Sequence, residues 1–342
     1  MTDIRRILFA TDFSEASHNA QAMAAQLARH HQAELHVVHA EVIPATAYVP
    51  EMVVDLDALT TSLHEAAEAQ MAKLVDRIGL PVRHALVSGF DAATVIRDYA
   101  DEAEIDLIVV GSHGRSGLGK LFMGSDAQGV VRLSKRAVLV VNAHSAPQAG
   151  GFGHLLAPVD LSPASAQSLQ AAAALARHYQ GRLSVIHVVE EWPIPPYYAH
   201  RFEQAQVEHG TAALEAFLKD HPVTPEANTL VLGGTPATQI VDQARQLHAD
   251  LIVLARGGLG DWEHFLLGSV TERVMAQAPC SVWICAKVSS RFRPARSFSR
   301  MVFPWPLCSS MASTSRSACS SSASATATGS KCCRVSGSGI AW

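Results

Sequence analysis

The sequence predicts an α/β protein built as two tandem doubly wound α/β sandwich domains. Three observations carry that reading. The chain repeats itself: Ile7-Leu8-Phe9-Ala10-Thr11-Asp12-Phe13-Ser14 returns 148 residues later as Leu155-Leu156-Ala157-Pro158-Val159-Asp160-Leu161-Ser162. Leu35–His39 returns as Leu183–His187 at the same offset, while Asp106–Val110 returns as Asp250–Leu254 and Gly124-Ser125 as Gly268-Ser269 at an offset of 144. A period this long marks a duplicated domain rather than a solenoid. The four missing residues fall between the second and third strands, where loops absorb length changes. Second, short apolar runs alternate with longer helical stretches, the pattern of a parallel sheet with right-handed crossovers. Third, runs such as Leu107-Ile108-Val109-Val110 are continuously apolar, as strands covered on both faces are.

Each element has a local reason. Residues 4–10 are rich in β-branched residues and Leu and read as a strand. Ser14 is placed to N-cap an Ala-rich helix over 15–31. A strand at 34–40 precedes a long helix near 57–78, which Gly79 and Pro81 end. Strand 82–87, helix 91–103, strand 106–110, helix 125–135 and strand 137–142 complete the first unit. The second unit repeats the order, with Ser162 as N-cap and Pro163 at the first helical position. The expected boundaries are residues 1–143 for the first domain, 144–153 for a linker with Pro147 and three glycines, and 154–288 for the second domain.

Residues 289–342 differ in kind. Sixteen of these 54 residues are Ser, seven are Arg or Lys, and none is Asp or Glu, so a whole-chain charge of −4 leaves −11 on the first 288 residues. Low complexity without acids argues against a packed core, and a disordered tail is expected; a basic arm for nucleic acid is the lesser alternative. Cys308, Cys319, Cys332 and Cys333 lie in this tail. Cys280 and Cys285 stand five apart in apolar surroundings, which reads as core packing rather than metal ligation. No apolar run approaches the ~18 residues of a membrane span. After Arg5 and Arg6, only Ile7-Leu8-Phe9-Ala10 precede Asp12, too few for a signal-peptide core of about 7–15 residues. The expectation is a cytoplasmic protein with no membrane or nucleic-acid partner.

The chemistry sits after the fourth strand of each unit. The first loop reads Gly111-Ser-His-Gly114-Arg115-Ser-Gly-Leu-Gly119-Lys120-Leu121-Phe-Met-Gly124-Ser125. Open α/β sheets bind ligands beyond the carboxyl ends of their strands, where strand order reverses. Glycines there admit a close approach to backbone N–H groups, and the N-terminus of the helix opened by Ser125 favours an anion. Arg115 and Lys120 add cations. Gly114-x4-Gly119-Lys120 spells most of a P-loop, but Leu121 replaces the Mg²⁺-ligating hydroxyl and the loop follows the fourth strand. The loop is built for an anion, with a nucleotide phosphate as the natural occupant.

Gly111-x2-Gly114-x9-Gly124-Ser125, with Asp106-Leu-Ile-Val-Val and Thr11-Asp12-Phe13-Ser14, resembles the ATP-binding branch of the universal stress protein family. The resemblance covers both units and excludes the tail. It implies an adenine nucleotide α-hydrolase-like domain with a five-stranded parallel sheet. It also implies that Val138–Val141 and Val282–Cys285 pair across a pseudo-two-fold, as an intramolecular mimic of a dimer. By the same resemblance Ala10 and Asp12 lie beside the adenosine, with Asp12 accepting from the ribose hydroxyls. Ala40 offers backbone groups to adenine, Gly111, Gly114 and Arg115 line the phosphate turn, and Gly124, Ser125 and Asp126 meet phosphate oxygens. Asp126 replaces the usual small aliphatic and repels a triphosphate unless Mg²⁺ intervenes.

In the second unit the matching positions are Asp160, Val188, Gly258, Gly268, Ser269 and Val270, while Ala255 replaces the first glycine. Leu259 and His264 replace Arg115 and Lys120, and Asp261 and Glu263 are added, so the loop charge turns from +2 to −1 with His neutral. The simpler alternatives stay open: Asp12 ends a strand and caps a helix, Gly111 and Gly114 serve a tight turn, and Ser125 is an N-cap. His39 and His187, at equivalent strand ends, read as structural. No base–nucleophile–orienter set accompanies the loop. The expected function is binding of ATP (or ADP or AMP) with Mg, acting in stress response through unidentified protein partners. A nucleotide-free, dimer-like scaffold or a slow ATPase is the alternative, and the intramolecular pseudo-dimer is open to pairing again as a homodimer.

Overall fold

The computed structural model describes residues 4–42, 56–112, 124–142, 145, 150–190, 196–257 and 267–286. The 289–342 segment expected to be disordered lies outside the described residues, as do 144 and 146–149 of the linker. In the first unit the order is β1 (Arg6–Ala10), a 3₁₀ turn (Glu15–Ser17), α1 (His18–His31), β2 (Glu34–Val42), α2 (Leu56–Ile78), β3 (Val82–Gly89), α3 (Ala92–Glu102), β4 (Leu107–Gly111), α4 (Ser125–Leu133) and β5 (Ala137–Val141). The second unit repeats it as β6 (His154–Val159), α5 (Pro163–Tyr179), β7 (Arg182–Val189), α6 (Pro196–Asp220), β8 (Asn228–Gly233), α7 (Pro236–Gln246), β9 (Leu251–Leu254), α8 (Ser269–Gln277) and β10 (Ser281–Ile284).

The strands form one ten-stranded sheet in the order β3-β2-β1-β4-β5-β10-β9-β6-β7-β8. Each half is a five-stranded parallel sheet, and the halves join by antiparallel pairing of β5 with β10, Leu139 opposite Trp283. That is the seam the family resemblance implied. The continuously apolar strands are covered on both sides. One face packs Phe9, Val109 and Leu155 under α1, α2, α5 and α6, with Leu27, Met71, Leu169 and Leu214. The other packs Leu8, Ile108 and Ile252 under α3, α4, α7 and α8, with Ile96, Val130, Ile240 and Val274.

Helix ends follow sequence chemistry with instructive exceptions. Ser162 accepts from Ser165 N at 3.1 Å with Pro163 at the first helical position, as expected. Ser14 does not cap: its hydroxyl donates instead to Asp12 Oδ1 at 2.6 Å, so it is taken up within the turn, in which Phe13 is left-handed (φ 61°). Gly79 ends α2 at φ +63°, its N–H donating to Val75 O at 3.3 Å. Cys280 is buried in the core, and burial pushes its thiol up to about 12. Among the described residues, no helix is long and apolar enough to cross a membrane.

Candidate functional site

In each half the chain leaves the first strand toward one side and returns to the other. β1 is flanked by β2 and β4, and β6 by β7 and β9. The switch points therefore lie at β1/β4 and β6/β9. Those sequence-predicted residues that are described stand at the carboxyl ends of these strands, of their neighbours β2 and β7, or at the start of the helix that follows β4 or β9. Ala10 closes β1 and is buried; Ala40 lies near the end of β2, paired with Val87; Gly111 closes β4, paired with Val141. In the second half, Asp160 follows β6 directly and Val188 lies near the end of β7.

The turn after β1 is over-determined. Thr11 N donates to Val38 O at 3.0 Å, and Thr11 Oγ1 accepts from Phe13 N at 3.0 Å. Asp12 Oδ1 accepts from both Ser14 N at 3.0 Å and Ser14 Oγ at 2.6 Å. The Phe13 ring lies 4.3 Å from the His39 ring, and His39 Nδ1 donates to Thr11 O at 2.8 Å. A bulky residue at positive φ is unusual and is held only where its surroundings fix it. The second half keeps the device at Leu161 (φ 63°), with Asp160 Oδ1 accepting from Ser162 N at 3.1 Å and His187 Nδ1 donating to Val159 O at 2.9 Å. Sequence reasoning missed this left-handed residue; the repeated Asp-x-Ser, Asp12/Ser14 and Asp160/Ser162, was the one available signal. His39 and His187 hold these turns, the structural part expected of them.

The glycine loops are pinned at their roots. Ser112 N donates to Val141 O and Gly124 N to Ser112 O, each at 2.9 Å. In the second half Gly268 N donates to Arg256 O at 2.9 Å. Gly114, Arg115 and Gly258 lie outside the described residues. Ser125 opens α4 as its first helical residue, but the N-cap is Gly124 (φ −60°, ψ 141°), so the expected capping role moves back by one residue. The same holds for Gly268 (φ −62°, ψ 140°) and Ser269 at α8. Without a capping side chain, the first amides of both helices are left for solvent or an anion. Ser125, Asp126 and Ser269 are exposed, and Gly124, Gly268 and Val270 half-buried. Asp126 sits in the first turn of α4, where the helix dipole favours it, and Ser125 Oγ donates to Asp126 Oδ1 at 3.4 Å.

Glycine at position 268 is not demanded by the backbone. Its φ is ordinary, and among the described residues an added Cβ would meet nothing closer than the Gly257 Cα at 3.5 Å, an ordinary van der Waals contact. Among the described residues, no group of three or more His, Cys, Asp or Glu is arranged to hold a metal ion. A Mg²⁺ here would take most of its oxygens from phosphate and water, with a carboxylate such as Asp126 as a single protein ligand. That fits a metal arriving with a nucleotide.

A family model for the universal stress protein family matches residues 3–142 and again 151–286. The chain belongs to the universal stress protein family. A universal stress protein of Mycolicibacterium smegmatis is 27% identical over 286 residues, spanning 81% of this chain and 96% of that protein. Universal stress protein A homolog 1 of Coxiella burnetii is 33% identical over 139 residues, covering 40% of this chain and 95% of its own length. The crystal structure of a universal stress protein from Archaeoglobus fulgidus matches with a TM-score of 0.60 at 20% identity, covering 84% of this chain and all of that one. At that identity the likeness speaks to the fold. Two universal stress protein domains in one chain account for the repeat.

Proposed function

We propose that this universal stress protein binds adenine nucleotide, ATP with Mg²⁺ foremost and ADP or AMP as alternatives, in its first domain. It would act in the cytoplasm as a nucleotide-sensing module in stress response, through protein partners rather than turnover. One observation carries the reading: a Gly-Ser pair stands at the N-cap and first position of a helix at each switch point, and at Gly268 neither φ nor the described neighbours demand glycine. A glycine the fold does not need is accounted for by a ligand that must come close to the backbone. In this reading Gly111, Gly114, Gly124 and Ser125 hold phosphate and Arg115 neutralises it, with Ala10, Asp12 and Ala40 at the nucleoside. Asp160, Val188, Gly258, Gly268, Ser269 and Val270 form the weaker second site. The domains run over 1–143 and 154–288, joined by 144–153.

A second reading, a nucleotide-free scaffold, is favoured by Asp126 in the first turn and by Asp12 Oδ1 being engaged by Ser14. A thermal-melt titration of the full chain separates the two. At 100 times its Kd a ligand stabilises by about 2.7 kcal/mol. At about 2–4 °C per kcal/mol, the melt should rise by roughly 5–10 °C. Gly114→Val with Gly124→Val should remove the part of the rise that belongs to the first site. A parent whose melt ignores millimolar Mg-ATP would leave the scaffold reading standing.

A further inference from the structure

Each glycine loop is tied to the far end of the other domain's last helix. Arg256, whose carbonyl pins Gly268, sends its side chain out of its own domain. Its Nη1 donates to Val131 O, and its Nη2 donates to Arg136 O at 2.7 Å. Val131 lies in the last turn of α4, where helix carbonyls lack an intrahelical amide. A cation of the second domain thus caps the C-terminus of the helix whose N-terminus carries Gly124 and Ser125.

A return path runs through Asn142, whose Nδ2 donates to Ala278 O, the C-cap of α8, at 2.7 Å. Asn142 follows Val141, which accepts from Ser112 N, and Ser112 O in turn accepts from Gly124 N, both at 2.9 Å. Between the helices, Arg132 of α4 approaches Glu272 in the first turn of α8 at 3.8 Å. The two arms differ in kind, since position 112, which matches Arg256, is serine.

The guanidinium is costly where it lies. Burial pulls its pKa down to about 10, and its Nε finds no hydrogen-bond partner among the described residues. A buried charge persists when oriented carbonyls offset its desolvation, and the C-terminal end of a helix supplies them.

We infer that Arg256 is a positioning residue that couples the two loops. An anion at the N-terminus of α4 and the guanidinium at its C-terminus both stabilise one nine-residue helix. Occupancy of the first loop therefore tightens Arg256 on α4, and with it the Gly268 root of the second loop. By linkage, an anion at the second loop strengthens binding at the first. The inference rests on the nucleotide reading above.

Hydrogen exchange on the full chain, with and without Mg-ATP at a concentration that fills the first loop but not the weaker second one, tests it in the parent, Arg256→Met and Arg256→Lys. In the parent, nucleotide is expected to slow exchange in both 125–133 and 267–277. In Arg256→Met the slowing at 125–133 should persist, while that at 267–277 shrinks about fivefold or more; Arg256→Lys, with a charged donor restored, should recover part of it. If Arg256→Met fails to fold, the Lys variant must by itself show a reduced response at 267–277. Slowing at 267–277 that is the same in parent and variants overturns the coupling. Slowing confined to 125–133 in the parent overturns the coupling and leaves nucleotide binding intact. Slowing in neither segment removes the nucleotide reading, and the coupling with it.

Discussion

Asp106 and Asp250 are the same device used twice, and removing one tests how each half is held closed. Asp250 Oδ2 accepts from Gly153 N at 3.0 Å and His154 N at 2.9 Å, fastening the start of β6 to the residue before β9. Asp106 Oδ2 does the same for Arg5 N at 2.8 Å and Arg6 N at 3.0 Å. In Asp250→Ala both amides lose their acceptor. The Gly153 bond is exposed, so water replaces it at a net loss of about 1 kcal/mol. His154 is a buried residue, so its amide is poorly rehydrated and costs about 1–2 kcal/mol more. The sum, about 2–3 kcal/mol, lowers the melt by roughly 4–12 °C at about 2–4 °C per kcal/mol. Asp250→Asn keeps an acceptor oxygen without the charge and should lose about 1 kcal/mol, since charge-assisted bonds are about twice as strong as neutral ones. Calorimetry and urea unfolding of parent, both single alanine variants and the double variant provide the assay. The two sites lie in different domains, so their costs should add within ~0.5 kcal/mol. An Asp250→Ala within 0.5 kcal/mol of the parent, or an Asn variant as damaged as the Ala, would refute the reasoning.

Other expectations concern acid, the seam and the second loop. Burial lowers the pKa values of His36, His154 and His178, so the unfolded chain takes up protons first as pH falls below about 6.5. Stability should be flat just above that pH and fall from 6.5 toward 5; His64, raised by Glu41 on the surface, acts in the opposite sense. A chain more stable at pH 5.5 than at 7.5, measured by denaturant midpoint, would contradict this balance. Trp283→Ala empties a buried site opposite Leu139 in the β5–β10 seam and should cost about 3–5 kcal/mol in urea unfolding. Gly268→Ala, with φ −62° and a new Cβ meeting the described residues only at van der Waals distance, 3.5 Å or more, should leave the melt within ~0.5 kcal/mol of the parent; a larger loss would mean the fold itself requires that glycine.

The architecture was legible because each level of the sequence agreed with the next. Leu107–Val110 and Leu251–Leu254 are too apolar for a one-faced sheet, and their repetition sets two equal domains side by side. Helix starts were legible where a side chain does the capping, as at Ser162, and misread where the hydroxyl has a better local partner, as Ser14 has in Asp12. The Phe13 and Leu161 turns were hidden because residue type argues against positive φ there, and only tertiary contacts such as the His39 ring fix it. The repeated Asp106 and Asp250 were visible as repeats, but their bonds join residues about a hundred positions apart. Arg256 was less legible still, since its partners belong to the other domain and nothing local marks an arginine that will cross a seam.

The central claim is that the first glycine loop takes an adenine nucleotide, and isothermal titration of Mg-ATP into the full chain tests it most directly. The account predicts saturable binding with at least one site per chain, lost from the first domain in Gly124→Val while the unliganded protein still melts cooperatively. A folded parent giving no saturable heat at millimolar Mg-ATP, with no nucleotide carried through purification, would contradict it.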